Sequence, residues 1–368
     1  MQTNENRYAT LDGIRGIAAL FVVTGHLPYL FAIAGFRHAF LAVDLFFVMS
    51  GFVLARSYED RLLSGHTNTR SFMRARVLRL YPLYILGIIA GVASAFLDDF
   101  YVACTAITVP KSIALALAPA AFMLPAFVNI DLYPFDRPAW SLMNELIANY
   151  LYARFLPRLS KRTILLVVSV TWLMIVFVTS WRTLNAGFTW QRLPVGPVRV
   201  IFSFLIGVLI HRGAPTTRTV SNAAALLIIA VVVGTLALDV PRRFDALYVI
   251  VSVTVIFPAV VFAATRFEPQ GWFRKACAAG GLASYGIYVL HAPLGGMLNT
   301  FGLWVLGLKP EQVAMTGLPF ILVISALAIL LDRSYSPAIR RALTKGWISR
   351  RARMTTPATP QETQPSTT

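Results

Sequence analysis

Arg15 and His26 bracket the run RGIAALFVVTGH, in which everything between them is apolar or small. They are eleven residues apart. At 3.6 residues per turn that is almost three whole turns, so both lie on one face of a helix. A neutral imidazole in apolar surroundings can take a proton from a reacting hydroxyl. An arginine's planar fork suits the oxygens of a phosphate or carboxylate. The pair therefore suits an anionic ligand held at the arginine and worked on at the histidine. Asp44, Glu145 and His291 also stand inside long apolar runs. Ionisable groups in such runs are expensive in lipid and are hypotheses of function by default.

These residues need membrane helices to hold them. The chain has 368 residues, 57% hydrophobic and 13% charged, against about 25% charged in a soluble domain. Apolar runs of span length recur along it, and about 20 residues cross the hydrocarbon core. The expected fold class is all-α, a polytopic integral membrane protein of about ten transmembrane helices. The spans fall near 14–35, 39–56, 78–98, 138–157, 163–181, 197–212, 220–239, 246–265, 281–303 and 313–332. The first is read as a retained span rather than a cleaved signal peptide.

Charge sets the orientation. The loop with Arg56, Arg61, Arg70, Arg74, Arg76 and Arg79 is cytoplasmic by the positive-inside rule. So is the loop with Arg154, Arg158, Lys161 and Arg162, if the segment 103–128 crosses an even number of times, most simply zero. That proline-bearing segment is then re-entrant or lies at the outer surface, and both termini are cytoplasmic. Residues 1–345 form the transmembrane domain. Residues 346–368 form a basic, Thr/Pro-rich tail that cannot bury a core. Cys104 and Cys277 fall on opposite sides and are not expected to pair. No Cys/His metal pattern is present, so no metal is expected. The net charge of +17 is explained by topology. It comes with no nucleic-acid motif, so nucleic acid is excluded as a partner.

Depth, at about 1.5 Å per helical residue, places His26, Asp44, Glu145 and His291 roughly 15–20 Å from the cytoplasmic side. If they share a cavity, they make an acid–base site near the midplane. Ser50 beside Gly51 reads as close helix packing, with no base placed to activate it. Ser141, one turn before Glu145, reads as its packing partner. His38, His66 and His211 read as solvated.

Five blocks, in order, resemble the membrane acyltransferase family 3: LDGIRGIAALFVVTGH at 11–26, VDLFFVMSGFVLAR at 43–56, FMRARVLRLYPLY at 72–84, WSLMNELIANYL at 140–151 and SYGIYVLHAPL at 284–294. The resemblance implies an acyl-CoA-dependent O-acyltransferase of the cytoplasmic (inner) membrane. It would move an acyl group, usually acetyl from acetyl-CoA, to a hydroxyl of a surface polysaccharide or glycolipid sugar. It implies His26 as catalytic base, with Asp44 or Glu145 orienting it. Arg15, Arg76 and Arg79 would bind the coenzyme A phosphates. Ser50, Ser141, Tyr285 and His291 would line the substrate path. No fused SGNH-type domain is read in the chain, so a separate periplasmic partner would perform any second step. An acyl-histidine relay through His26 is the alternative mechanism. A proton-coupled transporter using the buried His and carboxylates is the alternative function.

Overall fold

The structure, a computed structural model, describes residues 7–31, 35–98, 109–127, 130–181, 183–214 and 217–344. Cys104 and the tail from 346 onward lie outside the described residues. The described chain is an all-α bundle. Its helices are α1 (Ala9–His26), α2 (Ala42–Leu63), α3 (Thr69–Asp98), α4 (Val109–Ala121), α5 (Ala139–Phe155), α6 (Lys161–Trp181) and α7 (Val195–Gly213). Then come α8 (Asn222–Ala237), α9 (Asp245–Val251), α10 (Phe257–Ala264), α11 (Gly271–Thr300), α12 (Pro310–Val313) and α13 (Gly317–Arg333). A π-helical turn, Ser252–Ile256, joins α9 to α10. A two-residue parallel strand pair, Thr219–Val220 with Phe267–Glu268, is the small addition to an otherwise helical fold.

Among the described residues, six helical segments are long and apolar enough to cross a membrane: Ala39–Leu63, Thr69–Asp98, Lys161–Trp181, Val195–Gly213, Arg242–Ala264 and Pro310–Thr344. Asn222–Ala237 is apolar but shorter. Helices α1, α5 and α11 are not in this set. They are shorter or more polar, and they carry Arg15 and His26, Glu145, and His291. His291 is fully buried and the Glu145 side chain is 17% exposed.

Two helix boundaries correct the sequence reading. The span expected at 14–35 is not one helix: α1 ends at His26, and a 3-10 turn follows at Pro28–Leu30. Pro28 has no N–H to give to Thr24, and its ring crowds that carbonyl. Helix α2 runs past Arg56 to Leu63, which leaves Asp44 in its first turn. Depth counted from Arg56 puts Asp44 near mid-membrane, whereas the helix continues seven residues further and Asp44 stands at its opposite end. In the segment 103–128, α4 has 13 residues, about 20 Å of rise.

Glycine sets two close helix contacts that bear on the site. A Cβ on Gly16 would lie 2.8 Å from Gly280 Cα, so α1 and α11 touch backbone to backbone. Gly51 of α2 faces the Phe204 carbonyl of α7, and Gly207 of α7 faces the Val48 carbonyl of α2. At the start of α1, the Ala9 N–H donates to Glu268 Oε2 at 2.8 Å. Burial pushes the Glu268 carboxyl above its usual range.

Candidate active site

Two chambers lie toward opposite ends of α1, the inner lined by α1, α2, α3, α5 and α11 and the outer by α1, α2, α5, α7, α11 and loop residues. A vestibule of about 510 Å³ opens at the start of α1. Arg7, Arg15, Arg56, Arg76, Arg79 and Arg340 line it, against Asp12 and Asp332. It narrows to an inner chamber of about 70 Å³, which shares Arg15, Arg76, Arg79 and Tyr285 with the vestibule. Ser50, Ser141 and Glu145 stand in the inner chamber. Among the described residues, the Nε atoms of Arg15 and Arg76 are buried there with no hydrogen-bond partner. Buried donors of this kind usually find a partner. Positive charge around an unfilled space is a place for anionic oxygens.

Glu145 is the chamber's one carboxylate. It accepts from Ser50 Oγ at 2.6 Å and from Arg76 Nη2 at 3.1 Å, both on Oε1. Ser50 therefore does have a carboxylate against it, contrary to the packing reading. The sequence signal was missed because the partner is 95 residues away on another helix. Ser141 does not pair with Glu145. Its hydroxyl meets Tyr288 OH at 2.6 Å and donates to Pro138 O at 3.0 Å. Tyr285 OH donates to Leu80 O at 2.6 Å. That carbonyl lies two residues before Pro82, which stands inside the continuous helix α3.

The outer chamber, about 190 Å³, lies at the end of α1. His26 lines it with Arg37, Arg137, Arg199, Asn185 and the rings of Phe36, Phe40, Trp140 and Phe188. Val43 and Tyr288 line both this chamber and the inner one, so they form the wall between them. His291 is fully buried and lines neither chamber. Its Nε2 lies 3.3 Å from His26 Nδ1, with ring centroids 5.1 Å apart. The expected tunnel-lining place of His291 is thus replaced by a contact with the other histidine.

Asp44 is not beside His26 in a way that orients it. Both its oxygens are taken by Arg199, Nε to Oδ1 at 3.1 Å and Nη2 to Oδ2 at 2.6 Å. Arg199 also donates to Ala186 O and Phe40 O, and its guanidinium lies 5.3 Å from the Trp140 ring centroid. The pair is buried, with side chains 1% and 0% exposed. An arginine inside an apolar helix was the available signal for this partner. Nor is His38 solvated. It is buried, bonded through Nδ1 to Leu238 O and through Nε2 to Asp245, both at 2.9 Å. Asp136 was also missed: its side chain is buried, and neither oxygen is hydrogen-bonded among the described residues.

The four ionisable groups that depth puts in one layer thus divide. His26 and His291 meet, Asp44 is held by Arg199, and Glu145 stands across the wall with Ser50 and Arg76. Among the described residues, no group of three or more His, Cys, Asp or Glu is placed to hold a metal ion.

A family model described as an acyltransferase domain matches residues 8–343. A Rhizobium radiobacter protein, named protein 2 in picA locus, is 38% identical over 181 residues, 46% of this chain and 93% of that protein. An Acidianus two-tailed virus protein provisionally named an acetyltransferase is 25% identical over 299 residues, 79% of this chain and 84% of its own length. A Bacillus subtilis (strain 168) protein provisionally named a peptidoglycan O-acetyltransferase is 36% identical over 104 residues, 27% of this chain and 15% of its own length. No solved structure matches the chain.

Proposed function

The chain belongs to the acyltransferase family, and on that premise we propose that it moves acetyl from acetyl-CoA to a hydroxyl of a surface polysaccharide or glycolipid sugar. The observation that carries this reading is the arginine-lined vestibule, whose buried Arg15 and Arg76 Nε atoms lack partners. Coenzyme A phosphates supply the acceptors that these donors lack, with Arg79 at the same wall. We place the protein in the cytoplasmic membrane with ten crossings over residues 1–345, the tail and the vestibule facing the cytoplasm, and the His26 chamber toward the outside.

Arg15 and His26 are separated by about 16 Å of helix rise. A pantetheine arm of some fourteen bonds, each advancing ~1.2 Å, has a comparable reach. The thioester can then pass the wall at Val43 and Tyr288 while the phosphates stay in the vestibule. In the transfer step the acceptor oxygen bonds to the thioester carbonyl carbon as His26 Nε2 takes its proton. The C–S bond breaks, and the departing thiolate takes the proton from Nε2 to leave as the free thiol. Rings at the outer chamber (Phe36, Phe40, Trp140, Phe188) give a sugar's C–H face a surface to lie on, with Asn185 and the arginines beside it for hydroxyls.

The test is thiol release from acetyl-CoA by the purified protein, with mass spectrometry of surface glycans from cells lacking it. His26→Ala is expected to abolish turnover while the protein still inserts. A variant as active as wild type would reject His26 as base. Acetyl-CoA left untouched by the wild-type protein, beside proton-coupled uptake of another solute, would favour the transporter.

A further inference from the structure

The glycine contact between α1 and α11 brings the two histidines together. With Gly16 against Gly280, and with no side chain at Gly295 where Leu27 packs, the helices lie close enough for one ring to reach the other. Each ring also has a second contact. His26 Nδ1 lies 2.9 Å from Val22 O, and His291 Nδ1 lies 3.0 Å from Ile287 O. A carbonyl oxygen accepts and never donates. Each Nδ1 must therefore carry the hydrogen, which fixes both neutral rings in the same tautomer.

That assignment decides the contact between the rings. His291 Nε2 is left with a bare lone pair, and it sits 3.3 Å from His26 Nδ1. It accepts from the His26 Nδ1–H, which is shared with Val22 O. His26 Nε2 is then the bare nitrogen, it has no hydrogen-bond partner among the described residues, and His26 lines the outer chamber. Neither nearby carboxylate can stand in for His291, since Asp44 is committed to Arg199 and Glu145 stands in the other chamber.

We propose that His291 is the positioning residue for His26, a neutral imidazole that accepts the Nδ1–H and so aims Nε2 at the acceptor hydroxyl. This rests on the reading of His26 as base. When His26 has taken the proton, both its nitrogens carry hydrogen and Nδ1 still donates to His291, so His291 stays neutral throughout. A neutral partner gives the imidazolium no counter-charge, and the proton passes readily to the departing sulfur.

The experiment compares His26→Ala, His291→Leu and His291→Gln in the full chain, with acetyl-CoA as donor and carbohydrate extracted from the source cells' envelope as acceptor. His291→Leu is expected to lower kcat ~100-fold with the donor KM within ~twofold. His291→Gln, whose amide oxygen can accept from Nδ1, is expected to recover ~tenfold of that loss. An inactive His26→Ala beside a fully active His291→Leu overturns the positioning role alone, as does a Gln variant no better than Leu. An active His26→Ala overturns the reading of His26 itself. The ring nitrogens of the 15N-histidine-labelled wild-type protein decide the matter even where His291→Leu does not fold. Both rings should show a protonated Nδ1 and a bare Nε2, and a protonated Nε2 on neutral His26 overturns the proposal.

Discussion

In the outer chamber the charged side chains already have partners. Asp44 is held by Arg199, Arg137 by Asp131, and Arg37 by Asp239 and Asp245. What stays open there is one bare ring nitrogen. The inner chamber and its vestibule are the reverse. Arginines outnumber carboxylates in the lining, and two buried Nε atoms have no hydrogen-bond partner among the described residues. An unmade buried hydrogen bond costs more than a made one returns. The arginine end is therefore complete when an anion supplies its missing acceptors. The histidine end is complete already, and it waits for a proton.

Breaking the outer chamber's charge balance should have the largest effect. Arg199→Met leaves the Asp44 carboxylate buried alone, at a cost of about 3–5 kcal/mol. Loss of the folded peak in detergent, by fluorescence-detected size exclusion after heating, would show it. Adding Asp44→Leu should restore most of the loss, because replacing both members of a buried pair is far milder than removing one. An Arg199→Met protein as stable as wild type would mean that Asp44 does not depend on Arg199, and would reopen its place beside His26.

The helix contact that serves the histidine end makes a second, smaller test. Gly16→Ala puts its Cβ 2.8 Å from the Gly280 backbone, whereas Gly280→Ala puts one 3.5 Å from Gly16, an ordinary contact. The first should cost about 1–3 kcal/mol through overpacking and lower kcat as the rings part. The second should behave as wild type. Equal effects of the two on kcat would separate the histidine contact from the glycine packing.

Glu145→Gln moves the arginine end instead. It removes the chamber's one negative charge and loosens Arg76, so an anionic donor should bind more tightly, its KM falling by ~3–10-fold with kcat little changed. Had Glu145 oriented the base, kcat would fall by ~10⁴-fold and KM would hold. The ratio of the two parameters tells which end Glu145 belongs to.

The difference between the two ends also explains what could be read from sequence. Hydropathy is a local signal, so each of the ten expected segments overlaps a helix, although the first, 14–35, runs past the end of α1 at His26. The Arg15–His26 spacing was legible for the same reason: one helix carries both. Partners on different helices were not. Depth along a helix says how far in a group lies and nothing of which way it faces. Depth therefore sets the four groups in one layer, while the structure turns them to three different neighbours. Arg199 stands in an apolar helix, but the sequence does not say which carboxylate it meets, since Asp44 is 155 residues away on another helix. His291 was legible as a buried polar group but not as a ring partner, since that depends on Gly16 and Gly280 letting two helices touch.

Ser50→Ala is the mildest change and the sharpest on chemistry. The Ser50 hydroxyl donates to a carboxylate that Arg76 also holds. Removing it leaves Glu145 Oε1 with Arg76 still in place, so the loss is one hydrogen bond to a charged group, about 1.5–3 kcal/mol at most. Part of that loss is recovered by Arg76 drawing closer. If Ser50 only dresses the donor end, kcat should fall by less than ~threefold and KM should shift by a similar factor. A collapse of kcat by ~10³-fold with the donor still bound would mean something else. It would make Ser50 a nucleophile that carries the acyl group, with Glu145 as its base. The inner chamber would then perform chemistry rather than hold the donor, and the division of labour between the two ends would have to be redrawn.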